Sequence, residues 1–417
     1  MESLRPVFGL VVLFGLAWAL SENRRGVRWR PVVGGIVLQW ALALLLLHFP
    51  PARAALLAVN DGVEALNRAT SVGTHFLFGY LAGSPLPFAE AQPGAAFIMA
   101  FQVLPMVLVI SALASVLFHW GVLQFVMRGF AWLLRSTLGL GGALALGAAV
   151  HVFVGMVEAP LLIRPWLARL QRGEMFALMT CGMAGIAGTV MAIYGAILNP
   201  IVPNALGQVL TAAIVSTPAA LAVAALMLPF DAGREDEARL VLPDAPHDSL
   251  DAVMKGTMAG IPILAGIVAV LLVTVALVAL INMLLGLVPP IAGQAVTLQS
   301  LFALPFRPIV WLIGIPWQET GVASALMASK TVINEFVAYT ELAGLSPDAL
   351  TPRSRLILTY AMCGFANFGS VGIMVGGISA LVPERREEVV KLGFRSLLSG
   401  TIATCTSGAV AGLLSQL

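Results

Sequence analysis

Unbroken apolar stretches, rather than strict alternation, set the pattern of this chain. Gly94 to Trp120, Gly207 to Pro229 and Gly260 to Pro289 each exceed the roughly 20 residues a helix needs to cross a hydrocarbon core about 30 Å thick. They predict helices that are apolar on every face, as expected where the surroundings are lipid or other helices. Weaker segments lie between them. Ala52 to Arg68 mixes apolar residues with Asn60, Asp61, Glu64 and Arg68, which predicts a helix lying along a membrane surface, and Val122 to Arg135 has the same character. The first apolar run, Pro6 to Leu20, ends near an Ala17-Trp18-Ala19 string that resembles a cleavage site. Arginines cluster after it, with Arg5 alone before it, so it reads as a retained span.

A third kind of segment is apolar but interrupted. From Leu138 to Leu170, two arms too short to span flank Gly155-Met156-Val157-Glu158, and the second is closed by Arg164 and Pro165. Farther on, Ile309 to Met327 and Phe336 to Leu345 flank Ser329-Lys330-Thr331-Val332-Ile333-Asn334-Glu335 in the same way. Both predict re-entrant hairpins. Each is followed by a shared string: Cys181-Gly182-Met183-Ala184-Gly185 in the first half, Cys363-Gly364-Phe365-Ala366-Asn367 in the second. A Gly-Thr-Val or Gly-Ser-Val triplet comes soon after each. Hairpin and following helix are thus duplicated together, and paired interrupted segments in two halves point to a transporter's substrate site.

Composition agrees with a membrane solvent. Of 417 residues, 59% are hydrophobic and 11% charged, against about 25% charged in soluble proteins. The net charge of +2 and the lack of a basic, aromatic-interleaved patch exclude a nucleic-acid partner. Cys181, Cys363 and Cys405 sit in apolar segments at no metal-ligand or redox spacing, so neither a disulfide framework nor a zinc site is expected. Short cytoplasmic loops carry the excess of Lys and Arg. Arg24 to Arg30, Arg128 and Arg135, Arg164 to Arg172, Arg234 to Lys255 and Arg385 to Arg395 then all fall on one side, with the N-terminus outside. The hydrophilic stretch Asp231 to Lys255, with Glu235, Asp236 and Glu237, reads as a solvated cytoplasmic loop between the halves.

Two carboxylates stand at the interruptions, Glu158 and Glu335. A charge at the bilayer centre costs about 2.5 to 3.5 kcal/mol on insertion scales, so an acid there marks either ligand or ion handling or a paired group closing a hairpin tip. Asn367 and Ser370, three apart in a glycine-rich stretch, offer a polar edge to a ligand or glue between helices. His151, near the first tip, can carry a proton or rest as a neutral, satisfied ring. Pairs such as Gly182 and Gly185 or Gly256 and Gly260 mean close helix packing. A membrane-embedded enzyme using Glu158 and Glu335 as an acid pair would be a different class, but no His-Glu-x-x-His, nucleophile elbow or metal cluster accompanies them.

The strings Val152-Phe153-Val154-Gly155-Met156-Val157-Glu158-Ala159-Pro160-Leu161-Leu162-Ile163-Arg164-Pro165, Asn334-Glu335-Phe336-Val337-Ala338-Tyr339 and Cys363-Gly364-Phe365-Ala366-Asn367 together resemble the concentrative nucleoside transporters. The likeness runs from about Gly94 to the C-terminus. It implies an all-α integral membrane protein of eight spans with two re-entrant hairpins, interfacial helices and an internal inverted repeat. It further implies a homotrimer working by elevator-like alternating access in a bacterial inner membrane, among lipid, with no cofactor. The implied divisions are N-terminal scaffold spans and interfacial helices (1–137), a first transport repeat (138–230), a cytoplasmic loop (231–259), a scaffold span (260–299) and a second transport repeat (300–417).

By the same resemblance, the ribose of a nucleoside is held by Glu335, Asn367 and Ser370, while Val190 and Phe365 pack against the base. Relatives contact the base through a Gly-Gln-Thr-Glu string, which here reads Gly155-Met156-Val157-Glu158. Two polar base contacts are therefore missing, and a site that loses a hydrogen-bonding partner loses the corresponding discrimination. The implied coupling-ion position comprises His151, Val154, Gly185 and Ile186, with His151 in place of an Asn and Gly185 in place of a Ser. Sodium wants several oxygen ligands, so the expectation is proton or weak ion coupling in preference to sodium. The alternatives are a transporter of a non-nucleoside polar solute, or a gate-like protein that no longer transports.

Overall fold

A computed structural model describes residues 5–83, 85–88, 96–231, 245–290 and 295–415, all helices and connections, with no strand among them. The chain opens with α1 (Arg5–Ala19), α2 (Trp29–His48) and α3 (Pro50–Phe78). Met99–Gln102 (α4) and Met106–His119 (α5) follow, then Val122–Leu138 (α6). The first interrupted region becomes α7 (Gly142–His151), α8 (Glu158–Leu162) and α9 (Arg164–Leu167). After it come α10 (Arg172–Ala184), α11 (Gly188–Leu198) and α12 (Ala205–Met227). The second half holds α13 (Ser249–Leu285), α14 (Leu298–Leu312), α15 (Thr320–Val332), α16 (Glu335–Ala343), α17 (Pro352–Met362), α18 (Phe368–Leu381) and α19 (Arg386–Leu414). Among the described residues, six stretches are long and apolar enough to cross a membrane: Trp29–His48, Met99–His119, Arg172–Leu198, Ala205–Met227, Ser249–Leu285 and Pro383–Leu414.

Several expected boundaries move, each for a local reason. The surface segment expected to end at Arg68 continues as one helix to Phe78, where Gly79 (φ +57) stops it. The third apolar run begins eleven residues early, at Ser249, because the Asp248 side chain accepts from the Asp251 N–H at 2.8 Å and caps α13. Part of the expected loop is therefore helical, and its acidic string Glu235-Asp236-Glu237 lies outside the described residues, as does Gly94. The arm expected from Ile309 to Met327 is divided at Gly314 (φ +116) and Pro316, so that only α15 pairs with α16.

Packing relies on small residues, as it must where lipid removes the hydrophobic drive between helices. A Cβ on Gly256 of α13 would lie 2.6 Å from the Ser111 carbonyl of α5, and one on Gly35 of α2 would lie 2.6 Å from the Pro218 carbonyl of α12. Helices α1, α2, α10, α12, α17 and α19 form one body, stitched by buried polar groups. Gln39 Nε2 donates to Thr406 and Ser407 hydroxyls at 3.2 Å, while Ser216 pairs with Ser407 at 2.9 Å and Thr180 with Ser399 at 2.7 Å. By contrast α13 packs along α5 and leaves Leu272, Leu277, Met283 and Leu284 exposed. One end of the bundle gathers the charges: Glu22 accepts from both Arg172 and Arg395, and Arg385 donates to the Leu167 and Leu170 carbonyls at 2.8 and 2.7 Å.

Candidate functional site

The duplicated strings meet. Helix α10 stops at Ala184 and resumes as α11 at Gly188, while α17 stops at Met362 and resumes as α18 at Phe368. Across these two gaps the Phe365 N–H donates to the Gly185 carbonyl at 3.1 Å. A third unwound strand joins them, since the Gly188 N–H donates to the Phe153 carbonyl at 3.1 Å from the turn between α7 and α8. Unwound backbone inside a membrane protein must find such partners. Glycine is required for the close approach: a Cβ on Gly364 would lie 2.8 Å from the Met183 carbonyl, and one on Gly188 would lie 2.6 Å from that of Phe153.

Beside the crossing sits a hydrogen-bonded polar cluster. The Asn334 side chain caps α16 through the Val337 N–H at 3.0 Å, which places Glu335 in the first helical turn with its side chain turned inward, 4% exposed. Tyr194 donates to Glu335 Oε1 at 2.6 Å, and Asn367 Nδ2 donates to Oε2 at 3.2 Å. Asn367 Oδ1 accepts the Ser370 N–H at 2.8 Å and caps α18. Because a backbone N–H can only donate, that bond fixes which end of the amide faces Glu335. Glu335 and Asn367 are thereby joined side chain to side chain, with Ser370 attached through its backbone N–H, each less than a tenth exposed. One proton on Nδ2 remains for a further partner, and the carboxylate, which also meets its own backbone N–H, keeps acceptor capacity beyond its two side-chain donors.

Nearby residues differ in how far they join this cluster. Val190 is buried on α11, and Phe365 is partly buried in the gap after α17. Met156 and Val157 pack outward from their turn, Met156 toward Gly182 of α10 and Val157 toward Gly377 of α18. Glu158 folds back over Gly155, where a Cβ would overlap its carboxylate. His151 ends α7 with its ring against Gly182 and its carbonyl near Gly185; it is 3% exposed, and its Nε2 has no hydrogen-bond partner among the described residues. Val154 is half-buried in the turn beyond it, and Ile186 is buried in the gap after α10.

Two residues at the cluster were not singled out by the sequence reading. Tyr194 is a lone phenol in an apolar run, and nothing in its spacing marks it. Lys330, on α15, is fully buried with an amine lacking a hydrogen-bond partner among the described residues, and it lies within electrostatic reach of Glu335. Its apolar surroundings could have flagged it, since an intramembrane charge is by default a functional candidate.

Models of the Na+ dependent nucleoside transporter N-terminus and C-terminus match residues 8–81 and 208–412, and a nucleoside-recognition "Gate" model matches 100–201. An uncharacterized transporter of Haemophilus influenzae is 37% identical, the match spanning 99% of this chain and 98% of that one. The nucleoside permease NupC of Helicobacter pylori is 32% identical over 99% and 98% of the respective chains. The chain belongs to the concentrative nucleoside transporter family. Solved structures of the transporter CNTnw superpose closely on this member. The inward-facing, substrate-bound state does so with a TM-score of 0.88 at 34% identity, covering all of this chain and 98% of the other. A substituted outward-facing form reaches 0.91 at 35% identity, with the same coverage. As a concentrative nucleoside transporter, the protein is a multi-pass membrane protein whose relatives are transporters and permeases, not enzymes.

Proposed function

We propose that this protein is a secondary active transporter that imports nucleosides or nucleoside-like solutes across a bacterial inner membrane. The observation that carries this reading is the Glu335–Asn367–Ser370 cluster, a buried acceptor and donor pair set where two broken helices cross. A vicinal diol matches it: each hydroxyl both donates and accepts, so one can donate to Glu335 while accepting from the free proton of Asn367 Nδ2. Val190 and Phe365 supply apolar surface for a flat ring beside the sugar. With Met156 and Val157 in place of polar groups, reading of the base edge is weak, so the preference among bases is broad or shifted toward less polar rings.

The finer architecture belongs to the same proposal. The pairs α7/α8 and α15/α16 are re-entrant hairpins of an inverted repeat within eight spans, and the chain works as a homotrimer in lipid by elevator-like alternating access. Division of the chain at 137/138, 230/231, 259/260 and 299/300 separates scaffold from transport repeats. The apolar face of α13 would be covered by lipid or by the other protomers. Coupling is to protons in preference to sodium, because His151 and Gly185 remove side-chain oxygens from the ion position that also includes Val154 and Ile186. His151, Glu158 and Glu335 are the candidate carriers. No cofactor is needed for such a cycle.

Uptake into proteoliposomes tests the reading, using uridine, adenosine, guanosine, free bases and non-nucleoside polyols under separate sodium and proton gradients. Nucleoside accumulation driven by a proton gradient is expected. Sodium-driven accumulation without a pH effect would remove the coupling assignment, and uptake of polyols without nucleosides would remove the substrate assignment.

A further inference from the structure

Tyr194 belongs to the first half of the chain, yet its hydroxyl reaches across to the acid of the second. The ring, 2% exposed, packs against Phe336 and Tyr339 of α16 with centroids 6.2 and 5.1 Å away. Tyr339 is itself tied down, since its hydroxyl donates to the Thr359 carbonyl at 2.8 Å. The phenol of Tyr194 is therefore held in place by packing, and its single proton is directed at Glu335 Oε1 at 2.6 Å.

That contact decides how the carboxylate faces a ligand. The terminal torsion of a glutamate is broad and roughly two-fold, so a carboxylate held at one oxygen can still swing. Here each oxygen has its own donor from a different helix: Tyr194 on α11 for Oε1 and Asn367, the cap of α18, for Oε2. Two anchors at opposite oxygens fix the plane, and the acceptor capacity that remains is held in that plane.

We infer that Tyr194 is a positioning residue for recognition of ligand hydroxyls: it sets the plane of the Glu335 carboxylate, and with it the selectivity for a diol over its deoxy analogue. This rests on Glu335 being the ligand's acceptor. A hydrogen-bonding site rejects an analogue lacking the matching group because its own polar atoms are left unpaired. Loosening the carboxylate must blunt that rejection.

The test compares uridine, 2′-deoxyuridine and 3′-deoxyuridine in proteoliposomes carrying the full-length protein or Tyr194→Phe, which keeps the ring and removes the hydroxyl. A hydrogen bond to a charged group predicts a rise in KM for uridine of about tenfold, with the maximal rate within about twofold. The rise should fall below about threefold for the analogue lacking the hydroxyl that Glu335 accepts. An equal loss for all three ligands would mean a structural role only and overturns the inference, as does an unchanged KM for uridine. Tyr194→Leu, which also removes the ring, serves as the packing control: it should lower the melting temperature and add a loss common to all three ligands on top of the selective loss seen for Tyr194→Phe. Failure of the underlying reading looks different: Glu335→Gln would then leave the wild-type preference for uridine over both deoxy analogues intact.

Discussion

Phe365 and Gly185, 180 positions apart in the chain, are joined by a backbone hydrogen bond of 3.1 Å at the point where both of their helices are unwound. The bond satisfies two groups that a regular helix would have paired internally, and it sets the two breaks at the same level.

Glu335→Gln keeps the side-chain shape but replaces one acceptor oxygen with a donor and removes the charge. Loss of hydrogen bonds to a charged group, about 1.5 to 3 kcal/mol each, predicts a rise in the KM for nucleoside uptake of one to two orders of magnitude. Asn367→Ser retains an oxygen able to cap α18 but loses the Nδ2 donor, so uptake should weaken with little change in melting temperature. Asn367→Ala loses both, and should in addition destabilise by about 1 kcal/mol, the usual worth of such a cap. Radiolabelled uptake and thermal unfolding of the three variants separate these effects.

Gly364→Ala places a methyl 2.8 Å from the Met183 carbonyl and 3.0 Å from that of Ala184, so the crossing must open. The melting temperature should fall by the equivalent of about 1 to 3 kcal/mol and transport should be lost, as overpacking of a rigid interior does elsewhere. At Gly372 of α18 nothing lies within 4 Å of an added Cβ, so Gly372→Ala should be neutral or slightly stabilising. Equal melting temperatures for the two variants would contradict the crossing.

Glu22 lies between Arg172 and Arg395, and its hydrogen bond from Arg172 holds its carboxyl below the ordinary value of 4.5. A carboxyl lowered in the folded state stabilises fully above its unfolded value, and that contribution disappears as pH falls through the lowered folded value. Glu22→Gln should therefore lower the melting temperature at neutral pH, by no more than about 1 kcal/mol for a screened surface group. The difference from wild type should close on acidification below 4.5. A gap that stays constant across that range would remove the ion pair as its cause.

His151→Asn together with Gly185→Ser supplies side-chain oxygens at the proposed ion position. A Cβ at Gly185 would stand 3.1 Å from the Cys181 carbonyl and 3.4 Å from that of His151, so the serine fits with small adjustments. On the proposed coupling, the double variant is expected to show a larger sodium response in proteoliposome uptake than the parent. Neither single substitution should restore it fully, since sodium needs several oxygens at once.

What could be read from the residues alone follows from how each feature is encoded. The apolar runs, the shared Cys-Gly strings and the acid at Glu335 are local patterns, and the structure brings Glu335, Asn367 and Ser370 into one cluster. Helix limits set by single caps were less legible. Asp248 reads as part of a polar loop until its side chain is seen to accept from Asp251, and Gly314 is one glycine among many until its φ of +116 is known. Tyr194 could not be found at all, because its role depends on a partner 141 residues away. Met156 and Val157 show the opposite case: their apolar character is plain in the sequence, but which helix each faces is decided only by packing on Gly182 and Gly377.

Asn367 gives its oxygen to the opening turn of one helix and its nitrogen to an acid on another, so one flat, rigid group clasps both. A solute pulling on that acid thereby pulls on the backbone beginning at Phe368. A solute held on that acid should tighten this clasp, and slower amide exchange at Ser370 would report occupancy without any label on the solute.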